Sequence, residues 1–264
     1  GRNGLIQESG LTSAELVTNG DFSQEGPELI TNGDFATDSD WTIINSGGSS
    51  TNISGGALNI VTDGVFTQAA QDNTLTSGKS YVLRYTITSN AAVGNLAIIA
   101  GSANLIVPST VATHSVYFKS DGVGFAFKRN SGITDISITN VSVKEVGQDW
   151  SFAGGAELTE QGGRIYSSSG GVSQLDQNNV MVIGSQYKLT FDVIATNGTK
   201  LSNPNGTNIY DTSTIGSKVF YITAQYEVLY FKRFVGITDI TIDNVSVKEI
   251  QLDVPRIDFT DDPT

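Results

Sequence analysis

The chain has 264 residues, of which 38% are hydrophobic and 16% are charged, and its formal net charge is −12. A chain of this length can bury a core and is typical of one or two domains. The negative charge repels phosphate backbones and anionic lipid, so we expect neither nucleic acid nor a membrane surface as a partner. With no cysteine and no apolar run of 18 residues, we expect no disulfide, no thiolate metal site and no membrane span.

Glycine, serine, threonine and asparagine are frequent, whereas runs of Leu, Lys, Glu and Ala that favour helices are few. This composition indicates short strands joined by tight turns, so we predict an all-β protein. The lack of cysteine is compatible with a virion or extracellular protein that is stabilised by packing alone. The sequence starts without Met and ends on DVPRIDFTDDPT, and we expect it to be part of a longer protein.

The sequence of the first predicted element occurs twice, only 13 positions apart. ELVTNGDFS begins at Glu15, and ELITNGDFA begins at Glu28. Each phrase predicts a strand that ends in a tight turn. The repeat raises the question of which sheet each copy joins.

The strands that follow alternate apolar and polar residues. In YVLRYTI (residues 81–87) and in YKLTFDV (residues 187–193), every second residue from the leading Tyr is apolar. A period of two predicts strands with one face in a core and the other in solvent.

The segment VYFKSDGVGFAFKR predicts a β-hairpin, because Asp121-Gly122 is a strong signal for a two-residue turn. Centred on this turn, the hairpin places Phe118 opposite Phe125 in the core and Tyr117 on the outer face.

The strand ISITNVSVKEV changes its apolar parity midway. Ile136 and Ile138 share one parity, whereas Val141 and Val143 share the other. A bulge near Asn140, and near Asn244 in the later copy of this strand, would turn both pairs inward.

A long internal repeat organises the chain. GITDISITNVSVKEV at Gly132 returns 104 positions later as GITDITIDNVSVKEI at Gly236, and FKR returns at the same spacing. This match indicates two homologous domains. The predicted divisions are an N-terminal arm at 1–27, domains at 28–146 and 147–250, and a C-terminal linker at 251–264.

The second copy of the hairpin predicts a glycan-binding face. Shifted by 104 positions, it places Tyr221 opposite Tyr230 in solvent. Sugar binding requires an aromatic face for the C–H groups of the ring and polar groups at its rim. The candidate glycan-binding residues are Tyr221, Tyr230, Lys232, Lys188 and Asp192, with Tyr117 in the first domain. A cross-strand Tyr pair also stabilises a sheet without any ligand, so both interpretations stay open.

The order of motifs resembles a known family. NGDF followed by a Trp, a Gly-Gly strand near Gly55, a YxLxY strand and a closing DNVSVKE are similar to jelly-roll carbohydrate-binding modules. Such modules are attached to glycoside hydrolases, and similar ones recur in phage tail and other virion proteins. The resemblance covers residues 28 to 250 and implies two tandem antiparallel β-sandwich domains of jelly-roll type. NGLIQE at Asn3 and VPRIDFTDD at Val254 also look like two halves of a segment of phage tail-fibre-like proteins.

The resemblance makes the duplicated NGDF phrase informative. In the family, this strand starts the module beside the closing VSVKE strand, but the second domain passes from Val146 into GQDW without one. Two hypotheses stay open for Leu16 to Phe22. The segment caps the edge of a sheet, in the second domain or in another subunit, or it is a slipped duplication that lies as a mobile arm. Disorder of residues 15–23 would contradict the first.

The resemblance also implies a structural calcium ion between the NGxF turn and the last strand. The family places a carboxylate after the Phe, where Ala36 stands here, and an Asp near the close of the domain. That Asp is Thr139 in the first domain and Asp243 in the second. Asp34 and Asp243 are therefore the candidate metal ligands, although an Asp in an NGD turn also bonds its own backbone.

We predict no catalytic residues. His114, the single histidine, begins a strand without a nucleophile motif beside it. Carboxylates could form an acid–base pair, but acidic turns and tails more often serve solvation. These carboxylates are Asp38 with Asp40, and Asp258 with Asp261 and Asp262.

The sequence thus favours a non-catalytic carbohydrate-binding adhesion module of a phage tail-fibre-like or other virion protein, located at the virion or outside the cell. Its expected partners are a polysaccharide or cell-surface glycan and other virion subunits, and it needs no cofactor. The alternative is a structural spacer or decoration domain that makes only protein contacts. A third hypothesis is an accessory module of a secreted polysaccharide-degrading enzyme. Similar fibre proteins are often trimers, but no heptads support a homo-oligomer here.

Overall fold

The computed structural model describes residues 12–250, and within them every regular element is a β-strand. The all-β, antiparallel β-sandwich fold expected from the sequence is confirmed. No helix in these residues is long and apolar enough to cross a membrane. The predicted linker at 251–264, with Asp258, Asp261 and Asp262, and the segments at Asn3 and Val254 lie outside the described residues.

Two sheets form the first sandwich. Its strands are β1 (Glu25–Glu28), β2 (Thr42–Asn45), β3 (Asn52–Ser54), β4 (Ala57–Thr62), β5 (Thr67–Gln71), β6 (Ser80–Asn90), β7 (Asn95–Ala100), β8 (Ala103–Val107), β9 (Ala112–Lys119), β10 (Phe125–Ser131) and β11 (Thr134–Val146). Sheet A has the order β3-β4-β11-β6-β9, with β1 also on β11, and sheet B has the order β2-β5-β10-β7-β8.

The core of the first sandwich lies between these sheets. Alternate residues of β6, including Tyr81, Leu83 and Tyr85, are almost fully buried, as the period of two predicts. From sheet B, Phe127 meets the ring of Tyr85 with centroids 5.4 Å apart. Trp41 is buried in the same cluster, and its indole N–H donates to the Asn32 carbonyl at 3.2 Å.

The second sandwich repeats this layout. Its strands are β12 (Ser151–Gly154), β13 (Ala156–Thr159), β14 (Gly162–Ser167), β15 (Ser173–Gln177), β16 (Gln186–Thr196), β17 (Leu201–Ser202), β18 (Ile209–Tyr210), β19 (Gly216–Thr223), β20 (Leu229–Arg233) and β21 (Thr238–Glu249). Sheet C has the order β12-β15-β20-β17-β18, and sheet D has the order β13-β14-β21-β16-β19. Phe191 of sheet D meets Phe231 of sheet C edge-to-face, with centroids 5.0 Å apart, so the core again lies between two sheets.

The first NGDF phrase belongs to the second sandwich. The Leu16 N–H donates to the Val247 carbonyl of β21 at 3.0 Å, and the Val245 N–H donates to the Gly20 carbonyl at 2.8 Å. The Trp150 indole donates to the Asn19 carbonyl at 2.9 Å. This is the edge-capping arrangement within the second domain.

The second NGDF phrase makes the same bonds in the first sandwich. The Leu29 N–H donates to the Val143 carbonyl at 3.0 Å, and the Val141 N–H donates to the Gly33 carbonyl at 2.8 Å. Both copies are therefore used, one for each sandwich. This explains the repeated phrase: both starting segments precede the two domains in the sequence, and each joins a different sandwich.

The strand order nests one domain within the other. One compact unit comprises residues 22–148 and 157–164, and the described part of the other comprises residues 12–21, 149–156 and 165–250. The strand pairing differs at one place, because residues 157–164 belong to β13 and β14, which are strands of sheet D. The segment expected to form a separate arm therefore supplies residues 12–21 to the second unit.

The predicted bulges are confirmed. Asn140 and Asn244 have φ angles of 53° and 52°, and the pairing register of β11 with β6 shifts between Thr139 and Ser142. Because of this shift, all four apolar residues around Asn140 point inward and are at most 5% exposed.

The predicted hairpin at Asp121-Gly122 is wrong. β9 pairs with β6 in sheet A, whereas β10 pairs with β5 and β7 in sheet B. Phe118 and Phe125 therefore do not face each other across a ladder, although both are in the core. The chain does bend at the Asp-Gly pair, but there it crosses from sheet A to sheet B. The Asp121 carboxylate accepts hydrogen bonds from Ser102 and Ala103, where β7 passes into β8.

Candidate functional site

The second sandwich separates the two tyrosines that the sequence pairs. Tyr221 lies on β19 opposite Lys188 of β16, in sheet D. Tyr230 lies on β20 opposite Asp176 of β15, in sheet C. The expectation of a Tyr221–Tyr230 cross-strand pair is wrong, for the same reason as the hairpin: β19 and β20 belong to different sheets.

The predicted glycan-binding residues thus fall into separate groups. Tyr230 and Lys232 share the outer face of sheet C, because Leu229 and Phe231 between and beside them are fully buried. Tyr221, Lys188 and Asp192 are on the outer face of sheet D. Tyr117 lies in sheet A of the first sandwich, opposite Val82; burial raises the pKa of its hydroxyl, and Arg84 lowers it.

On sheet C, register gathers polar and aromatic groups into one surface. Asp176 is opposite Tyr230, and Gln174 is opposite Lys232. The Tyr226 ring stands edge-on to the Tyr230 ring, with centroids 5.5 Å apart and planes at 85°. We call Gln174, Asp176, Tyr226, Tyr230 and Lys232 the Tyr230 surface.

Two features of this surface suit hydrogen bonding to a sugar. The Gln174 side-chain amide donates to the Asp176 carboxylate at 2.7 Å, which fixes the orientation of a carboxylate that is only 9% exposed. Burial raises the pKa of the Tyr230 hydroxyl, and Asp176 and Tyr226 raise it further. The phenol therefore stays protonated at neutral pH and remains a hydrogen-bond donor.

A polar cleft of about 280 Å³ opens beside Lys232. Ser202, which is opposite Lys232 on β17, forms one wall, and Asn205 of the following loop and Phe234 complete it. The cleft continues the Tyr230 surface along the sheet. Together they offer aromatic faces and hydroxyl, amide, carboxylate and ammonium groups, which are the groups that sugar-binding sites combine.

The first sandwich keeps the frame of this surface without its chemistry. On sheet B, Gln68 lies opposite Lys128, as Gln174 lies opposite Lys232. At the position of the Asp176–Tyr230 pair, however, Ala70 lies opposite Ala126. The two domains therefore differ where the aromatic ring and the carboxylate stand.

The metal candidates belong to different sandwiches. Asp34 is in the first sandwich, where its exposed carboxylate accepts a hydrogen bond from the Ala36 N–H at 3.3 Å, so it acts as a turn residue. Asp243 is in the second sandwich. No group of three potential ligands among His, Cys, Asp and Glu occurs within residues 12–250.

Asp243 nevertheless has one property of a metal ligand, a buried carboxylate oxygen. Its Oδ1 is buried and has no hydrogen-bond partner within the described residues. Burial raises the pKa of its carboxyl, the Asn244 backbone N–H lowers it, and Asp21 and Asp192 raise it further. Asp21 belongs to the NGDF turn that serves this sandwich. Asp21 and Asp243 thus lie close enough in the second sandwich for their charges to interact, whereas the first sandwich has Thr139 at the position of Asp243.

Sequence reasoning missed Asp176, Gln174 and Tyr226. A signal for Asp176 was present, because SQLDQ at Ser173 aligns with TQAAQ at Thr67 and places an Asp where the first domain has Ala70. The exchange of a small apolar residue for an acid within a strand that is otherwise alike marks a changed surface.

Comparisons with known proteins found distant similarity to solved structures. No protein-family model matches the chain, and no curated protein matches it. Among solved structures, it is similar to the N-terminal CBM22-1–CBM22-2 tandem domain of Xyn10C from Paenibacillus barcinonensis, with 10% identity, a TM-score of 0.35, and coverage of 86% of this chain and 99% of that chain. It is also similar to a Paenibacillus xanthan lyase, with 12% identity, a TM-score of 0.26, and coverage of 82% of this chain and 25% of that one. Because both TM-scores are below 0.5, the fold and the candidate site rest on the geometry of this chain.

Proposed function

We propose that the protein is a non-catalytic glycan-binding protein and that the Tyr230 surface contacts the sugar. The observation that carries this proposal is the Tyr226–Tyr230 ring pair beside Asp176, next to a polar cleft. A tyrosine ring can stack on the C–H face of a pyranose while the carboxylate and amide bind its hydroxyls. Binding of this kind is non-covalent and requires no cofactor.

The proposal extends to the biological setting. Adhesion to host or environmental glycans by a phage tail-fibre-like or other virion protein is supported by the resemblance of both domains to modules repeated in such proteins. The location would then be the virion or the extracellular space. The net charge of −12 supports a partner that is neither nucleic acid nor a membrane surface.

A structural calcium ion belongs to the same proposal. Asp21 and Asp243 would hold it, and it would supply a positive charge at a buried carboxylate oxygen that lacks a partner in residues 12–250. The role is to fix the starting segment to the closing strand, since these residues come from those two parts of the second sandwich.

One observation favours the structural alternative for the first sandwich. Its counterpart of the Tyr230 surface lacks the aromatic rings and the carboxylate. Ala70 and Ala126 stand in the middle, and Ile44 and Ile106, which are exposed by 45% and 66%, lie on either side of the Gln68–Lys128 pair. Exposed apolar side chains of this kind are compatible with a protein contact. A spacer or decoration role, in contact with other virion subunits, would use this face.

A glycan-array screen of the full chain tests the proposed function. We expect binding that falls tenfold or more, about 1.4 kcal/mol, in a Tyr226→Ala, Tyr230→Ala double variant. Tyr166→Ala, which removes an exposed ring elsewhere in the second sandwich, is the matched control and should bind as the unmodified chain does. Unchanged binding by the double variant would refute the site, and a full chain that binds no glycan would favour the structural spacer.

A further inference from the structure

Two lysines face each other on sheet D, and no ion pair with either one occurs within residues 12–250. Lys188 of β16 lies directly opposite Lys248 of β21. Both side chains are half-buried, and within the described residues neither takes part in an ion pair or a hydrogen bond. Like charges at directly opposed positions of a sheet destabilise it. In a chain with a net charge of −12, such a pair needs an explanation.

The first sandwich carries an internal anion on the corresponding face of sheet A. Lys144 of β11 stands at the position of Lys248, whereas Val82 stands at the position of Lys188. The second cation there is Arg84 of β6, at the position of Thr190, and Glu25 lies against Lys144 and Arg84. Its carboxylate is 3.2 Å from the Lys144 Nζ and 2.5 Å from an Arg84 nitrogen. These contacts lower the pKa of Glu25, with the Arg84 hydrogen bond as the largest cause. An internal anion therefore fills the site.

The second sandwich has lost that anion. Glu25 is paired with Val146, and the equivalent residue beside Ile250 is Thr12. Thr12 contributes only a hydroxyl. The result is a cleft of about 160 Å³ lined by Thr12, both lysines, Thr190 and Ser246. The Glu15 carboxylate accepts hydrogen bonds from the hydroxyl of Ser246, which lines the cleft, and from the Val247 N–H at 2.8 Å.

An aromatic ring adjoins the cleft. Tyr221 is opposite Lys188 on the far side from Lys248, and it is 72% exposed. A second, smaller cleft beside this ring is lined by Gln186 and Thr223. The surface thus combines two ammonium groups with an open aromatic face and neutral hydrogen-bonding groups.

We propose that Lys188, Lys248, Thr12 and Tyr221 form a binding site for an acidic sugar in a polysaccharide. The two ammonium groups bind the anionic substituent, a carboxylate or a sulfate, in the place that Glu25 takes in the first sandwich, and the Tyr221 ring packs on the sugar. The cleft is large enough for such a group, and the sugar ring lies outside it on Tyr221. This site is on the other sheet from the Tyr230 surface and does not depend on it.

The test uses the full chain with three soluble probes at physiological salt. Polygalacturonate carries only carboxylates, dextran sulfate carries only sulfates, and dextran is the neutral control. Affinity electrophoresis measures retardation by each probe. The decisive variant is Thr12→Glu, which restores the internal anion; Lys188→Gln with Lys248→Gln removes the cations. Lys200→Gln is the control for loss of one exposed positive charge.

We expect retardation by polygalacturonate or by dextran sulfate, and the probe that acts identifies the group bound. Binding should weaken at least tenfold in Thr12→Glu and in the double lysine variant, and should persist in Lys200→Gln. Thr12→Glu should also melt no lower than the unmodified chain, because it forms new ion pairs. Absence of retardation by both acidic probes, or equal retardation of all variants, would overturn the proposal. Because binding at the Tyr230 surface should survive Thr12→Glu, failure of either site is distinguishable from failure of the other.

Discussion

At the scale of single residues, the chain places charges where the fold does not need them. Asp243 has a buried carboxylate oxygen without a partner in the described residues, and Asp176 is a carboxylate that is 9% exposed beside Tyr230. Burying a carboxylate costs free energy unless hydrogen bonds or a counter-charge compensate it. Asp176 has the Gln174 amide at 2.7 Å, whereas Asp243 Oδ1 has no partner within residues 12–250. Both positions hold neutral residues in the first sandwich, Thr139 and Ala70, so the fold does not require the acids.

Asp243 yields a prediction about metal and pH. Its raised pKa means that the ionised carboxylate destabilises the folded state, a cost that is present above the folded pKa and absent below the unfolded one. In EDTA at neutral pH, Asp243→Asn should therefore raise the free energy of unfolding by about 1 kcal/mol, and the gain should shrink as the pH falls towards about 4.

Calcium should make the unmodified chain more stable to unfolding than the Asp243→Asn variant. At a hundredfold excess over its dissociation constant, the ion should stabilise the unmodified chain by about 2.7 kcal/mol, and it should have little effect on Asp243→Asn. Thermal unfolding followed by circular dichroism measures both. If calcium left the melting temperature of the unmodified chain unchanged, this site would hold no calcium ion.

At the scale of elements, the two NGDF segments act as interchangeable starting strands with different destinations. Each contains a glycine, Gly20 or Gly33, that lies against the bulged closing strand. A Cβ atom on Gly20 would be 2.0 Å from the Val245 carbonyl oxygen, and one on Gly33 would be 2.0 Å from that of Val141. No side chain fits at either position, so each glycine is a point at which one sandwich can be disturbed.

This symmetry predicts a matched pair of effects. Gly20→Ala should destabilise the second sandwich by about 2 kcal/mol, and Gly33→Ala should do the same to the first. The two tryptophans, Trp41 and Trp150, report on one sandwich each, so Trp→Phe backgrounds allow each unfolding transition to be followed by fluorescence. If Gly20→Ala left the Trp150 transition in place, the first NGDF segment would not belong to the second sandwich.

Local patterns in the sequence predicted local features of these elements well. The alternation in YVLRYTI and the parity change at Asn140 identified the buried residues and the bulge, because side-chain direction in a strand follows from position alone. The identity of the neighbouring strand does not follow from the local sequence pattern. ELVTNGDFS fits either closing strand, and only the connectivity of the whole chain decides that Leu16 bonds Val247, which is 231 positions away.

The candidate site shows the same limit. That Tyr221 and Tyr230 face outward was predictable from parity, but the Asp-Gly turn could not reveal that it crosses between sheets. The Tyr230 surface therefore became visible only when register placed Asp176 and Gln174 beside Tyr230 and Lys232. The two domains differ at these positions, since Ala70 and Ala126 stand where Asp176 and Tyr230 stand in the second.

At the scale of the whole molecule, the two sandwiches share a fold and differ in their outer faces. The first has Ala70 and Ala126 in the middle of sheet B and an internal anion, Glu25, on sheet A. The second has gained Tyr230 and Asp176 on one sheet and left Lys188 and Lys248 open on the other. The account therefore assigns sugar contact to the second sandwich, which is completed by the first NGDF segment.

The most direct test is a nuclear magnetic resonance titration of the full chain, labelled in the rings of its nine tyrosines, with millimolar neutral disaccharides such as cellobiose, xylobiose and mannobiose. This measurement detects weak binding and locates it. The account predicts that the ring signals of Tyr226 and Tyr230 shift with at least one sugar while those of Tyr166 stay in place. Shifts confined to other tyrosines, or no shift with any sugar, would contradict the Tyr230 surface as a glycan-binding site.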